Sequence, residues 1–334
     1  MISAEASAEE RGTSVSKPLT LIYRGPLDSC NYGCTYCPFA KKPETSEQKA
    51  ADERALERCL EWIRAYAVGS SRRPQAVSSE TISIFFTPWG EALHHARYRE
   101  AIIELSHLPG VRKVAIQTNL AGSLDWLAEA NRDRVGIWAT WHPTEVGQER
   151  FLRNVTRLRD LGVSHSVGVV GIRHRVEEIE ALRAALPQGT AMWVNAFSPD
   201  GGAVRPGYYD ADTIARIAAV DPLFEVGLLR FASRGRTCAA GRTVLAIDGD
   251  GTARRCHFLP KVLGNLYADR LEDILTDKPC SRPVCDCHIG YVHLDDLRAG
   301  EVYVDGLLER VPDPAWADPA GYLARARGLA HPAR

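Results

Sequence analysis

The chain has 334 residues, 45% of them hydrophobic and 25% charged, the make-up of a protein that packs a core rather than of a disordered or fibrous one. With 41 Lys and Arg against 42 Asp and Glu, its formal net charge is -1. That excludes a broad basic field for a polyanion or an acidic membrane surface, and disfavours a nucleic-acid partner. The opening MISAEASAEERGTSVSKP lacks the apolar run of a signal peptide, and no later stretch is long and apolar enough to span a bilayer, so a cytoplasmic protein is expected. In that reducing compartment the nine cysteines read as metal ligands rather than as a disulfide framework.

Residues 1–18 are small, polar and charged and read as a mobile leader ending at Pro18. Leu19 to Tyr23 predicts a buried strand, and Leu56, Leu60, Ile63 and Ala67 fall at helical spacing after it. Thr81 to Phe86 predicts a second strand with a helix around Tyr98 to Leu105, and Val111 to Gln117 a third with a helix around Leu124 to Asn131. Val135 to Trp141 leads into a helix that carries Phe151, Val155 and Leu158 on one face and stops at Gly162. His165 to Gly171 leads into Glu177 to Leu186, and Ala191 to Phe197 into a helix near Ala211 to Val220.

Six alternations of strand and helix imply a parallel sheet with right-handed crossovers, either an open doubly wound sheet or an incomplete barrel. After about Asp221 the pattern changes. TVLAID and TARRC flank Asp248-Gly249-Asp250-Gly251, a hairpin signal, so a small cysteine-bearing extension is expected at 221–310. Residues 311–334, rich in Pro, Ala and Arg, read as a peripheral tail.

Eight of the cysteines fall in two groups. The first, CNYGCTYC, holds Cys30, Cys34 and Cys37 just after the first strand, on the carboxyl-end loops where parallel α/β folds place their sites. Three thiolates can hold three irons of a 4Fe-4S cluster and leave the fourth open to an external ligand. A zinc site completed by a histidine is the competing reading, although zinc motifs usually pair C-x2-C units.

The motif C-x3-C-x-aromatic-C, carried by Cys30, Cys34, Tyr36 and Cys37, resembles the signature of the radical S-adenosylmethionine (SAM) superfamily. That resemblance implies a partial (β/α)6 TIM-like barrel over 19–220. It also implies a SAM-binding 4Fe-4S cluster and reductive cleavage of SAM to a 5'-deoxyadenosyl radical that takes hydrogen from a substrate. A reduced flavodoxin or ferredoxin-type electron donor goes with such chemistry. Gly90 and Glu91, behind Trp89, resemble the family's Gly-Gly-Glu stretch that meets the SAM amino group, and Thr118 and Asn119 its polar third-strand end. Val169 and Gly171 are similar to its adenine-facing segment, with core packing the competing role for Val169. His142 and Asn195 would lie toward the same mouth and bind SAM or substrate, while His142 could equally be a hydrogen-bonded loop histidine. Glu145 reads as a helix-start residue.

The second group is Cys238, Cys256, Cys280, Cys285 and Cys287. Cysteines on both sides of a hairpin, with more downstream, resemble the Twitch or SPASM-like extension of some radical SAM proteins. This implies one auxiliary 4Fe-4S cluster, preferably on Cys238, Cys256, Cys285 and Cys287 with Cys280 as spare. A structural zinc knot, with His257 or His288, is the other reading. Cys59, near Trp62 and Ile63, reads as a buried inert thiol. The resemblance points to modification of a peptide or protein side chain. Radical dehydrogenation of a small-molecule alcohol, or a non-enzymatic zinc-binding interaction module, are the alternatives.

Overall fold

The computed structural model describes residues 18–39, 43–71, 81–198 and 204–331; the leader expected at 1–18 lies outside these except for Pro18. Strand β1 (Leu19–Arg24) is followed, past the cysteine loop, by helix α1 (Ser46–Ser71). Thr45 and Gln48 start that helix with a reciprocal capping box, Gln48 N–H to Thr45 Oγ1 at 3.2 Å and Thr45 N–H to Gln48 Oε1 at 2.9 Å. Its Leu56, Cys59, Leu60, Ile63 and Ala67 form one fully buried stripe.

Next come β2 (Ile82–Phe86) with α2 (Ala96–His107), and β3 (Val111–Thr118). The helix expected over Leu124 to Asn131 is replaced by two short 3-10 turns, Asp125–Ala128 and Arg132–Arg134. Side chains compete with the helix there: Ser123 Oγ takes the Asp125 N–H, Ser106 Oγ takes the Asn131 N–H, and Leu120 sits at φ 57°. The chain continues through β4 (Val135–Trp141), α3 (Gln148–Asp160), β5 (Ser164–Gly171), α4 (Val176–Ala185), β6 (Ala191–Ala196) and α5 (Ala211–Val220).

Strands β1 to β6 pair in sequential order, all parallel, forming a partial (β/α)6 TIM-like barrel. Its central strands are mostly buried, β2 at every position, as expected of a parallel sheet covered on both faces.

The region after α5 begins with α6 (Phe224–Leu228) and β7 (Phe231–Ala232). The hairpin then forms as expected: β8 (Val244–Asp248) is antiparallel to β9 (Thr252–Arg254), with Gly251 at φ +88° in the turn. This hairpin is continuous with the barrel. β8 pairs in parallel with β1, Thr20 against Val244 through Arg24 against Asp248, and β10 (Val262–Asn265) extends the same nine-stranded sheet beyond β9. Helix α7 (Leu271–Ile274), β11 (Val284–Cys285, antiparallel to β7), α8 (His288–Tyr291), α9 (Ala299–Tyr303) and α10 (Pro319–Gly328) follow.

The C-terminal region also fills the barrel. Leu308 packs with Ile22, Phe85, Ala115, Trp138 and Trp193 on the inner face, and the Arg310 guanidinium stacks on both tryptophans at 5.6 and 4.6 Å. Glu309 pairs with Lys113 and accepts the Ser164 hydroxyl at 2.6 Å, at the starts of β3 and β5. Alanine-rich α10 is anchored as well, since Tyr322 and Ala326 are buried in the cluster that holds Phe231, Tyr291 and Leu297. Among the described residues no helix is long and apolar enough to cross a membrane.

Candidate active site

The cysteine loop leaves the carboxyl end of β1. Cys30 Sγ accepts the Tyr32 N–H and Cys37 Sγ the Phe39 N–H, both at 3.4 Å, and Cys37 N–H closes a turn on Cys34 O at 3.1 Å. The three thiols lie within electrostatic reach of one another. Burial, followed by neighbouring negative groups, pushes Cys30 up and Cys34 to about 11, so the thiolates need a cationic centre among them. Among the described residues no three His, Cys, Asp or Glu side chains converge tightly enough to share a single ion. Three thiols on one loop, each able to take a different iron, fit the donor set of a 4Fe-4S cluster with one open iron.

Neighbouring strand ends pin this loop. A Cβ on Gly90 would lie 1.7 Å from Ser29 O, and the Glu91 N–H donates to that same carbonyl at 3.0 Å, so the Gly90 backbone rests directly on the residue before Cys30. Glu91 is buried and spends its oxygens inside the protein: Oε1 accepts from Thr118 Oγ1 (2.7 Å) and Leu93 N (3.0 Å), Oε2 from Asn119 N (2.5 Å). Burial raises it to about 7. Glu91 and Thr118 thus tie the ends of β2 and β3 together. Asn119 reaches the loop itself, donating from Nδ2 to Asn31 Oδ1 at 2.8 Å and to Cys30 Sγ at 3.9 Å.

His142, just past β4, meets the loop from the other side. Its Nδ1 lies 3.0 Å from Tyr36 Oη and 3.4 Å from Cys34 Sγ, and its ring stacks on Tyr36 and meets Tyr32 edge-on, each 6.0 Å away. Burial lowers it to about 4, leaving a neutral imidazole at pH 7. Glu145 accepts the Gly33 N–H at 3.0 Å, a role on the cluster loop that its place before a helix concealed. Val169 belongs to the main core, the packing role weighed for it. The Gly171 carbonyl accepts the Tyr209 hydroxyl, and Asn195 is exposed near the end of β6.

Side chains alternate along strands. Two residues beyond Ile22, Ala115, Trp138 and Trp193 of the inner cluster stand Arg24, Gln117, Thr140 and Asn195, which place polar groups on the inner face toward the mouth. Sequence reading overlooked Arg24, although a charge ending the apolar LTLIY was a usable signal. Its Nε donates to Thr87 O at 2.9 Å and its guanidinium stacks on Trp89 at 4.1 Å, which in turn packs on Phe39 at 4.6 Å. Burial draws Arg24 down to about 10, still a cation at neutral pH.

The later cysteines lie around two adjacent cavities. Cys238, Cys256, Cys280 and Cys285 line one, with no histidine among the described residues of its wall. Cys280 is brought there by backbone bonds, Cys280 N–H to Arg236 O at 2.9 Å and Gly235 N–H to Cys280 O at 2.8 Å, and Cys285 by the β7–β11 pair. Cys287 lines an adjacent cavity with Arg24, Cys256 and His257, within electrostatic reach of Cys285. His288 packs on Trp138, 5.4 Å between centroids. Burial raises Cys238 to about 11 and lifts Cys256 and Cys285 as well. Cys59 is wholly buried and pushed up to about 12, an inert thiol.

Residues 26–186 match the family model described as Radical SAM superfamily. The fold is similar to that of hexahistidine-tagged anSMEcpe with bound AdoMet, at 14% identity, TM-score 0.51 and coverage of 77% of each chain. It is similar also to Streptococcus suis SuiB bound to S-adenosylmethionine, at 17% identity and TM-score 0.50, covering 78% of this chain and 66% of that one. Native anSMEcpe with bound AdoMet and Kp18Cys peptide gives 13% identity and TM-score 0.50, covering 77% and 80%. No curated protein matches the sequence. The matched segment runs from the cysteine loop through the fourth helix of the barrel, so the chain carries a Radical SAM domain there and is an enzyme.

Proposed function

We propose that this enzyme modifies a peptide or protein side chain by hydrogen abstraction at the barrel mouth, and that its C-terminal cysteines hold an auxiliary 4Fe-4S cluster. A 4Fe-4S cluster bound at Cys30, Cys34 and Cys37, together with SAM, supplies the one-electron chemistry, a 5'-deoxyadenosyl radical formed at the expense of an external reductant. The chain's own residues position and shield. Asn119, His142 and Glu145 hold the cysteine loop from three sides, and Tyr32 and Tyr36 flank the imidazole. The Gly90 backbone lies against that loop, where it is available to a SAM amino group. Asn195 stands open to solvent on the inner face, available to substrate.

The observation that carries the site is the set of three mutually close thiols at the end of β1, fixed by bonds from the ends of β2, β3 and β4. A peptide substrate is supported by the peptide-bound neighbour of the same fold. The auxiliary cluster is supported by four thiols around one histidine-free cavity, which favours Cys280 over Cys287 as the fourth ligand.

Iron and sulfide analysis of anaerobically reconstituted protein tests both halves. Wild type should hold about eight irons and the Cys30/Cys34/Cys37 triple alanine variant about four. Cys280→Ala should lose most of the remaining four, and Cys287→Ala should keep them. A variant set in which Cys287→Ala loses iron and Cys280→Ala does not would return the ligand set to the one expected from sequence. Zinc in place of iron at the second site would remove the auxiliary cluster from the proposal. Release of 5'-deoxyadenosine in the presence of dithionite checks SAM cleavage separately.

A further inference from the structure

Between the end of β1 and the C-terminal region lies a second cavity, walled by Ile22 and Val244 on the sheet and by Arg24, Arg255, Cys256, His257, Cys287 and His293 as its polar groups. Its position is functional rather than remote. Arg24 is the last residue of β1, its guanidinium lies on Trp89, and Trp89 precedes the Gly90 that rests on the cysteine loop. Among the described residues two guanidinium groups and two thiols border the cavity and no carboxylate does. Of the groups within electrostatic reach of Arg24, the Cys287 thiol lines the cavity with it and Asp248 is already paired with Arg254.

Burying cations without a counter-charge is costly, and Arg255 is only 8% exposed, with its Nη1 given to the carbonyls of Lys278 and Pro279. His257 adds a second unmet demand, because its Nε2 is shielded from solvent and has no hydrogen-bond partner among the described residues. The cavity offers about 20 Å³ to the centre of a water-sized group, room for one small group and not for a whole substrate.

We propose that this cavity is an anion subsite that receives a carboxylate of the substrate, holding it between Arg24 and Arg255 while the rest of the molecule extends toward the cysteine loop. The planar guanidinium fork suits a two-oxygen anion better than an ammonium would, and an otherwise unpaired imidazole nitrogen is available for a further bond. The proposal rests on the reading of the barrel mouth as the substrate site. It narrows the substrate to one bearing a free carboxylate, such as an acidic side chain or a chain end.

Calorimetric titration of the anaerobically reconstituted protein with acetate, with neutral acetamide and with inorganic phosphate tests this without knowledge of the substrate. Acetate should bind once per chain and acetamide should not. Arg24→Gln should weaken acetate at least tenfold, and Arg24→Lys, which keeps the charge and loses the fork, should weaken it less. If Arg24→Gln proves misfolded by circular dichroism, Arg255→Gln and Arg24→Lys carry the same comparison. Equal binding of acetate and acetamide, acetate binding indifferent to every arginine variant, or binding of phosphate without acetate each overturns the carboxylate subsite. Release of 5'-deoxyadenosine by the same preparations is scored apart from these titrations. Its loss in wild type would strike the radical SAM reading and leave the anion result intact, whereas normal release with no acetate binding would strike only this subsite.

Discussion

Gly90 shows how narrowly one atom is constrained at the mouth. A methyl group there meets the backbone of Ser29, with the carbonyl oxygen 1.7 Å and the carbonyl carbon 2.6 Å away, and backbone cannot turn aside as a side-chain tip can. Gly90→Ala should therefore lower stability by about 2–3 kcal/mol, the upper range for overpacking, and displace the cysteine loop so that less iron is retained. Gly227→Ala is the matched control, since a Cβ there meets nothing within 4 Å and the residue lies inside α6; it should leave stability unchanged or slightly raised. Urea denaturation with iron content on both variants decides the point. Equal stability of Gly90→Ala and wild type would mean that Ser29 yields and that the loop is not held by this contact. The motif made the three cysteines visible in the sequence, while the clamp around them was hidden. Asn119, Glu145 and Arg24 lie far along the chain from the loop or end a strand in a way periodicity does not register, and only their hydrogen bonds reveal what they do.

At the level of elements, Asp52 joins three parts of the fold. From α1 its Oδ1 accepts the Leu27 N–H of the cysteine-loop entrance and the Tyr98 hydroxyl of α2, both at 3.1 Å. Burial raises this carboxyl to about 6 from 3.8. Its folded-state value lies above its unfolded one, so the stability it contributes is complete below about pH 4 and is lost as pH rises through about 6. An amide keeps an acceptor oxygen for both bonds and carries no charge to desolvate. Asp52→Asn should accordingly be more stable than wild type at pH 8, by about 1–2 kcal/mol after allowing for its buried amide donors, and no more stable at pH 4. Thermal unfolding at the two pH values checks this, and an advantage that persists at pH 4 would assign the gain to something other than the charge. Elements of this kind were mostly legible in advance. Apolar runs and helical stripes located all six barrel strands and all five barrel helices, because a buried parallel strand or an amphipathic helix writes its period into the chain. The third crossover was misread as helix because Trp126, Leu127 and Ala130 are buried in a pattern that two 3-10 turns satisfy as well. Polar side chains capturing backbone groups decided between them.

Across the whole molecule, the hairpin and the C-terminal region complete the barrel rather than hang from it. The sequence marks the hairpin clearly, yet the β8–β1 pairing joins residues more than two hundred positions apart, a contact that no local pattern encodes. Glu309 belongs to the same long-range closure. Its side chain has no solvent exposure, Lys113 opposite is 14% exposed, and the Ser164 and Ser166 hydroxyls bond to the carboxylate and the backbone carbonyl of this one residue. Glu309→Ala would leave the largely desolvated Lys113 ammonium without this counter-charge and open a void against Gly136, at a cost of about 2–4 kcal/mol. Removing both charges at once is a different perturbation. A Lys113→Met/Glu309→Leu pair carries no stranded ion and should recover most of that loss, because well-packed apolar groups often replace a buried ion pair without penalty. The readout that separates a local defect from loss of closure is limited proteolysis read together with iron content. If the segment from His288 to Arg310 seals the barrel, Glu309→Ala should be cut in the C-terminal region and lose the iron of the cluster proposed at Cys238, Cys256, Cys280 and Cys285, and the double variant should resist both. If Glu309→Ala is less stable and yet equally resistant, the ion pair matters only where it sits, and closure rests on Leu308, Arg310 and the β8–β1 pairing.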